Sequence, residues 1–198
     1  MAGGRILDRI VVDEPTLYLT FDDGPHPVHT PALLDLLAAH DARATFFLIG
    51  AKALEHEAIV RDIVARGHAL GNHSFSHRKR RTMSPAEASA DVRRCDEVLQ
   101  RIDGLPNHPY RPPWGEIGAR QYLRCLFGRE RIALWSRNSM DYRDGSAAII
   151  GHFDRQPPRS GDVILFHDDS DRSIPALAEL LPVWAERGFR FARLEPVR

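Results

Sequence analysis

The sequence predicts an α/β fold built on a parallel sheet, and two patterns along the chain carry this prediction. Apolar segments of strand length alternate with segments that place apolar residues every three or four positions. About seven such strands alternate with helices, which favours parallel strands joined by outer helices. An open doubly wound sheet and a closed barrel fit this alternation equally well.

The first half of the chain alternates regularly between the two kinds of segment. Thr30 is predicted to cap a helix that has Pro31 at its first position. A second helix is predicted over residues 51–66, and Gly67 after it can adopt the left-handed conformation that ends helices. Segments rich in β-branched, aromatic and other apolar residues are predicted as strands at 16–21, 44–49 and 69–72.

The second half continues the alternation. Ser84 and Glu87 form a capping box, which predicts a helix whose apolar residues recur as far as Ile102. Pro182 is expected to kink the helix predicted over residues 174–187. The other predicted elements are a short segment ending at Arg111, a helical stretch to about Phe127, and strands at 132–135, 163–166 and 189–191.

Composition limits the classes of function. The chain has 198 residues, which predicts a single domain, with residues 1–15 as an N-terminal extension. Lys and Arg total 27, as do Asp and Glu, so the formal net charge is zero. The chain therefore lacks the overall positive charge that would attract nucleic acid. Without an apolar run of about 18 residues, no membrane span is expected. Cys95 and Cys125 are too few for a disulfide framework, and neither lies in a CxxC pair.

The N-terminal sequence bears on the compartment. Charged residues interrupt the apolar stretch from Ile6 to Val12, so it does not resemble a secretory signal. A cytoplasmic location is therefore expected, or a secreted one if a leader once preceded this sequence. Neither a heptad repeat nor an apolar stripe is evident, so a monomer is expected.

Polar residues suited to catalysis follow the predicted strands. In parallel α/β folds the carboxyl ends of the strands form one rim, where ligands bind. Residues that are distant in sequence should therefore converge on one pocket. The residues in question are Asp22, Asp23, His73, His77, Arg111, Trp114, Asp141 and His167.

His73 and His77 have the spacing of metal ligands. Four residues apart on a helical turn, both imidazoles would lie on one face. With a carboxylate from Asp22 or Asp23 they would supply three ligands and leave a position for water, as in catalytic zinc sites. The alternative is two exposed histidines in a loop.

Asp22 and Asp23 could have different roles. One would bind the metal, while its neighbour would act as a base on the adjacent water. The alternative is an acidic turn without function, since the sequence Asp-Gly-Pro is typical of turns. Arg111 would orient the free aspartate, and the Trp114 amide would face a developing oxyanion; the alternative is a surface loop. His167 would be a general acid, or a strand-end histidine with a local hydrogen bond.

These motifs together resemble those of the polysaccharide deacetylases, the NodB-homology family or carbohydrate esterase family 4. The resemblance runs from about Leu17 to Phe191 and implies a distorted (β/α) barrel of about seven strands. It would make residues 1–198 a single catalytic domain. The motifs are Thr-Phe-Asp-Asp-Gly-Pro from Thr20, His-Ser-Phe-Ser-His from His73, Arg-Pro-Pro-Trp-Gly from Arg111, the stretch from Trp135 to Tyr142, and Leu-Phe-His from Leu165.

The resemblance also implies a role for each motif residue. The divalent metal would be zinc, with cobalt or nickel as alternatives. Asp22 would be the general base, held by Arg111, and His167 the general acid, tuned by Asp141. The metal ligands would be Asp23, His73 and His77, and the oxyanion and substrate-binding residues Trp114, Pro112, Tyr142 and Leu165.

Three departures from the family pattern bear on the substrate rather than the reaction. Trp114 replaces a more common Tyr or Phe. Asn138 and Tyr142 stand where Asp and Trp are frequent, so the wall of the acyl pocket is expected to differ. The basic run at residues 78–81 is also atypical, although most basic runs are solvated faces.

The resemblance therefore predicts a hydrolase that removes N-acetyl groups from an N-acetylglucosamine-containing, chitooligosaccharide-like substrate. A peptidoglycan N-deacetylase and an O-acetyl esterase acting on a polysaccharide such as xylan are the enzymatic alternatives. A sugar-binding relative without activity is the non-enzymatic one. A nucleic-acid partner is not expected, because the basic run is short and lacks interleaved aromatic residues.

Overall fold

A computed structural model describes residues 6–118, 123 and 131–194. The strands of these residues are β1 Ile6–Leu7, β2 Thr16–Asp22, β3 Ala44–Leu48, β4 Ala69–Asn72, β5 Ile132–Ala133, β6 Arg137–Asn138, β7 Val163–His167 and β8 Arg190–Phe191. Their α-helices are α1 His29–Ala39, α2 Gly50–Glu55, α3 Glu57–Ala65, α4 Pro85–Asp103, α5 Ser146–Arg155 and α6 Ser173–Glu186. Cys125 and most of the helical stretch predicted to reach Phe127 lie outside the described residues.

The strands pair in parallel, in the spatial order β4-β3-β2-β7-β6, and β8 pairs with the start of β2. Tyr110 forms single bridges to Asn72 of β4 and to Ile132 of β5, and β5 pairs with β1. The amide of Ser136 then donates to the carbonyl of Val163 on β7. The predicted α/β class is confirmed, and the single bridges at Tyr110 show how the sheet departs from a regular ladder.

The central strands are buried on both faces, which explains why their sequences are mostly apolar and do not alternate regularly between polar and apolar residues. Phe21 stacks on Phe46 of β3 at 5.1 Å and on Phe166 of β7 at 5.8 Å between ring centroids. Trp184 of α6 is also fully buried in this core. Helices therefore cover the sheet, and the strand ends are left to carry polar residues.

Several predicted helix ends are confirmed and two are wrong. Ser84 and Glu87 form the predicted capping box, and Gly67 adopts a left-handed conformation. Thr30 does not cap α1, which begins at His29, because its hydroxyl is used in a tertiary hydrogen bond to Asp168. The helix predicted over residues 51–66 is divided into α2 and α3 at His56.

Three elements had no predicted counterpart: β1, β6 and α5. The two strands have only two residues each, so their existence depends on the partner strand and not on a local pattern. β1 falls within the segment expected to be an N-terminal extension. No helix of the described residues is long and apolar enough to cross a membrane.

Candidate active site

The carboxyl ends of β2, β4 and β7 bring the predicted polar residues to one place. Asp22 ends β2 and lies in register with His167, the last residue of β7. His73 directly follows β4, and its amide donates to the carbonyl of Leu48 at the end of β3. Parallel pairing therefore assembles the cluster that the sequence pattern predicts, since neighbouring strands end at the same edge.

Asp23, His73 and His77 face one another in this cluster. Oδ1 of Asp23 lies 3.3 Å from Nε2 of His73 and 3.0 Å from Nε2 of His77. The three candidate ligand atoms all lie within 4.8 Å of one another. Nδ1 of His73 is 2.8 Å from the carbonyl oxygen of Arg111, which can only accept, so Nδ1 carries the hydrogen and Nε2 offers a lone pair.

The chemistry of this donor set fits a divalent cation. Oδ1 of Asp23 is buried and has no hydrogen-bond partner within the described residues. Burial raises the pKa of Asp23, but hydrogen bonds and positive charge from protonated His73 and His77 outweigh this effect and hold the pKa well below its ordinary value. A cation bound between the three side chains would take the place of the two Nε2 protons. An ionised carboxylate and two imidazole nitrogens are a ligand set typical of zinc.

Left-handed backbone, and not a helical turn, brings the two histidines together. Residues 73–77 form a loop, so the helical turn expected from their spacing is wrong. Ser74 and His77 have φ of 66° and 52°, and Asp23 has φ of 73°. Non-glycine residues rarely adopt such angles, and functional sites are where this strain is commonly stored. The Ser74 amide donates to Oδ1 of Asn72, and the His77 amide donates to Oγ of Ser74.

Asp22 is held by a buried arginine. Nη1 of Arg111 donates to Oδ1 of Asp22 at 2.7 Å, and the Arg111 side chain is fully buried. The other carboxylate oxygen, Oδ2, lies 3.8 Å from Nε2 of His73, which places it beside the metal-ligand cluster. The guanidinium donates further hydrogen bonds to Thr20 Oγ1, Ala133 O and Leu134 O.

Replacing Arg111 by methionine is expected to destabilise the fold by about 3–5 kcal/mol, because the Asp22 carboxylate would remain buried without its partner. Urea unfolding measures this change. The matched control is Arg61→Met, which breaks an exposed ion pair with Glu57 of the same helix; that pair should contribute only about 0.2–1 kcal/mol. Equal effects of the two substitutions would show that the buried pair is not structurally important.

His167 is held by a second buried carboxylate. Nδ1 of His167 lies 2.7 Å from Oδ1 of Asp141, and the His167 amide donates to Oδ2 of the same residue. Burial lowers the pKa of His167, but the Asp141 carboxylate outweighs it, so that the pKa rises to about 9. The imidazole is therefore protonated at neutral pH, with Nδ1–H committed to Asp141.

Two aromatic residues flank the cluster. Trp114 is 52% exposed, in a 3-10 turn over Pro113–Gly115, and its ring centroid lies 4.4 Å from that of His77. Tyr142 is 54% exposed, and its ring centroid lies 6.0 Å from that of His167. The other two residues predicted to bind substrate, Pro112 and Leu165, are buried.

Two further residues at the site, Asp168 and Lys52, were not predicted from the sequence. Asp168 is fully buried directly after His167, and burial raises its pKa to about 7. Nζ of Lys52 donates to the backbone carbonyl of Asp23 at 2.7 Å. An acidic residue two positions after the apolar run 163–166 was the signal for Asp168. Lys52 carries no sequence signal, because it reaches the site from α2.

Comparisons with known proteins identify the family of this chain. The family model for polysaccharide deacetylases matches residues 10–124. A peptidoglycan-N-acetylglucosamine deacetylase of Bacillus cereus is 32% identical over 195 residues, which cover 95% of this chain and 90% of that protein. A chitooligosaccharide deacetylase of Sinorhizobium fredii is 32% identical over 202 residues, covering 93% of each.

The fold is similar to solved structures of the same kind. The crystal structure of the Bc1960 peptidoglycan N-acetylglucosamine deacetylase superposes with a TM-score of 0.89 at 31% identity, covering 96% of this chain and 91% of that one. The chain therefore belongs to the polysaccharide deacetylase family, as the order of its motifs predicts.

Proposed function

We propose that this protein is a metal-dependent deacetylase that removes N-acetyl groups from N-acetylglucosamine-containing oligosaccharides or polysaccharides. The observation that carries the proposal is one rim holding three facing metal-ligand atoms, an arginine-bound Asp22 and an aspartate-bound His167. The names of the relatives support the same chemistry, since they are deacetylases of chitooligosaccharides and of peptidoglycan.

Asp23, His73 and His77 would hold the metal, which we propose is zinc, with cobalt or nickel able to replace it. A divalent ion held there supplies Lewis acidity, which polarises an acetamide carbonyl and lowers the pKa of a bound water. The hydrogen bond from Nδ1 of His73 to the Arg111 carbonyl fixes the orientation of one ligand.

Asp22 would act as the general base. Its Oδ1 is occupied by Arg111, whereas its Oδ2 lies beside the ligand cluster and can accept a proton from an attacking water. The guanidinium also orients the carboxylate, because three further hydrogen bonds, to Thr20, Ala133 and Leu134, fix its own position. A base that is already oriented loses little entropy when the substrate arrives.

His167 would act as the general acid. An amide nitrogen is a poor leaving group, so its departure requires a proton from the enzyme. Asp141 accepts from Nδ1 of His167, which leaves Nε2 to donate its proton to the departing amine. The raised pKa ensures that this proton is present at neutral pH.

The remaining predicted residues would contact the substrate. The exposed rings of Trp114 and Tyr142 lie beside His77 and His167 respectively, where a sugar ring could stack. The amide of Trp114 is proposed to stabilise the oxyanion together with the metal. Pro112 and Leu165 are buried and would shape the floor of the acyl pocket.

Acetate release from chitooligosaccharides, with and without a chelator, tests the proposal. We expect activity to disappear with the chelator, to return with zinc, and to fall about 10²–10⁴-fold in Asp22→Asn. The control is Asp154→Asn, an exposed aspartate of α5, which should retain full activity. Activity that persists in the chelator, or in Asp22→Asn, would contradict the proposed mechanism, and sugar binding without turnover would favour the inactive relative.

A further inference from the structure

Asp168 is a fully buried carboxylic acid that the proposed mechanism does not use. It directly follows His167, and its backbone amide donates to the carbonyl oxygen of Asp22 at 3.2 Å. The residue is thus bonded to the main chain of the proposed base, and it follows the proposed acid in the chain.

The side chain of Asp168 connects this point to the start of α1. Oδ2 of Asp168 lies 2.5 Å from Oγ1 of Thr30, and Thr30 is itself fully buried. The Thr30 hydroxyl accepts from the amide of His26 at 2.7 Å, so its own hydrogen points to the carboxyl group of Asp168. Two hydrogen bonds in series therefore connect Asp168 to the backbone just beyond the turn that carries Asp22 and Asp23.

The same carboxyl group fills the space beneath that turn. A Cβ atom added to Gly24 would overlap both carboxyl oxygens of Asp168, so the turn can approach this closely only because residue 24 is glycine. The carbonyl of Gly24 in turn accepts from the amide of Ile49. Gly24 is therefore hydrogen-bonded to the residue that joins β3 to α2, and it packs against Asp168.

Burial of this acid needs an explanation, because it does not favour folding. Oδ1 of Asp168 has no hydrogen-bond partner within the described residues, and an unsatisfied buried polar atom destabilises the folded state. Next to it, Asp23 keeps a left-handed backbone, which persists only where its surroundings determine it. Asp168 is one of the groups that surround this turn.

We propose that Asp168 is a positioning residue: its carboxyl group, between Thr30 and Gly24, fixes the turn that carries Asp22 and Asp23 and thereby sets the metal affinity of the cluster. This inference rests on the proposed function, because it assumes that Asp23 is a metal ligand. Outer groups that orient metal ligands typically change metal affinity about 10–100-fold when they are removed.

Zinc titration of the metal-free protein, in competition with a chromophoric chelator, tests the inference. Asp168→Ala is expected to weaken zinc binding at least about tenfold and to lower kcat, while KM for a chitooligosaccharide stays within about twofold. Asp168→Asn keeps an acceptor for Thr30, so it should lose less affinity than the alanine variant. Thr30→Val should weaken zinc binding, whereas Thr30→Ser, which keeps the hydroxyl, should not.

Thermal unfolding of each variant separates positioning from stability, because a purely structural residue would lower Tm without changing the zinc affinity of the folded protein. If Asp168→Ala does not fold, Thr30→Val tests the same connection. Wild-type zinc affinity in both Asp168→Ala and Thr30→Val would overturn the inference while leaving the proposed function intact. A wild-type protein that neither binds zinc nor releases acetate would overturn both.

Discussion

Replacing His77 by alanine is expected to abolish tight zinc binding and to lower kcat/KM for chitooligosaccharides about 10³-fold or more. Its Nε2 lies 3.0 Å from Oδ1 of Asp23, so its loss removes one of three proposed ligands. A catalytic metal contributes several kcal/mol of transition-state stabilisation, and about 1.4 kcal/mol corresponds to a tenfold change in rate. Zinc titration and acetate release measure the two effects.

His77 is a cleaner test of the metal than His73. The His73 side chain is buried and bonded to the Arg111 carbonyl, so its removal would also disturb the fold, whereas the His77 side chain is 23% exposed. His40→Ala, at the end of α1, is the matched control and should leave both measurements unchanged. Full activity of a folded His77→Ala protein would be incompatible with the proposed metal site.

Replacing His167 by alanine is expected to reduce N-deacetylation by about 10²–10⁴-fold and to reduce ester hydrolysis less. An alkoxide leaves more readily than an amide nitrogen, so an acetylated xylan depends less on a proton from His167. Acetate release from chitooligosaccharide and from acetylated xylan, measured with the same variant, gives both values. Equal losses on the two substrates would argue against His167 as the acid that protonates the leaving group.

The pH profile provides an independent test of the same residue. A general acid must be protonated to act, and Asp141 raises the pKa of His167 to about 9. We therefore expect kcat/KM to be maintained at neutral pH and to fall as the pH rises through about 9. Asp141→Asn should move this alkaline limb to lower pH, because the charge that holds the proton is removed. An alkaline limb at the same pH in Asp141→Asn would assign it to another group.

Because of this raised pKa, His167 also contributes to the stability of the fold in a pH-dependent way. Its pKa is higher in the folded state than the ordinary value of about 6.5, so its stabilising effect is fully present at pH values below about 6.5. The effect is lost as the pH rises through about 9. Stability and activity should therefore decline over the same alkaline range. Urea unfolding at several pH values measures the change in the free energy of unfolding separately from the change in activity.

Local sequence determined a large part of this protein. The long strands β2, β3 and β7 are predicted because they are buried on both faces, so each is rich in apolar residues without a strict polar–apolar alternation. The capping box at Ser84 and the left-handed Gly67 are predicted because both depend on neighbouring residues only. The order of the motifs also predicted the family, which the family model confirms.

Tertiary structure decided what local pattern could not. Residue spacing left open whether Asp22 or Asp23 meets the histidines, and only the family resemblance assigned Asp23 to this position. In the structure, the backbone conformation at Asp23 turns its carboxylate toward both histidines. The two-residue strands β1 and β6 and the connection between Asp168 and Thr30 were not predicted either. β1 and the connection between Asp168 and Thr30 depend on contacts between residues more than 100 positions apart, such as Ile6 with Ile132, and β6 depends on its pairing with β7. No local pattern in the sequence encodes such contacts.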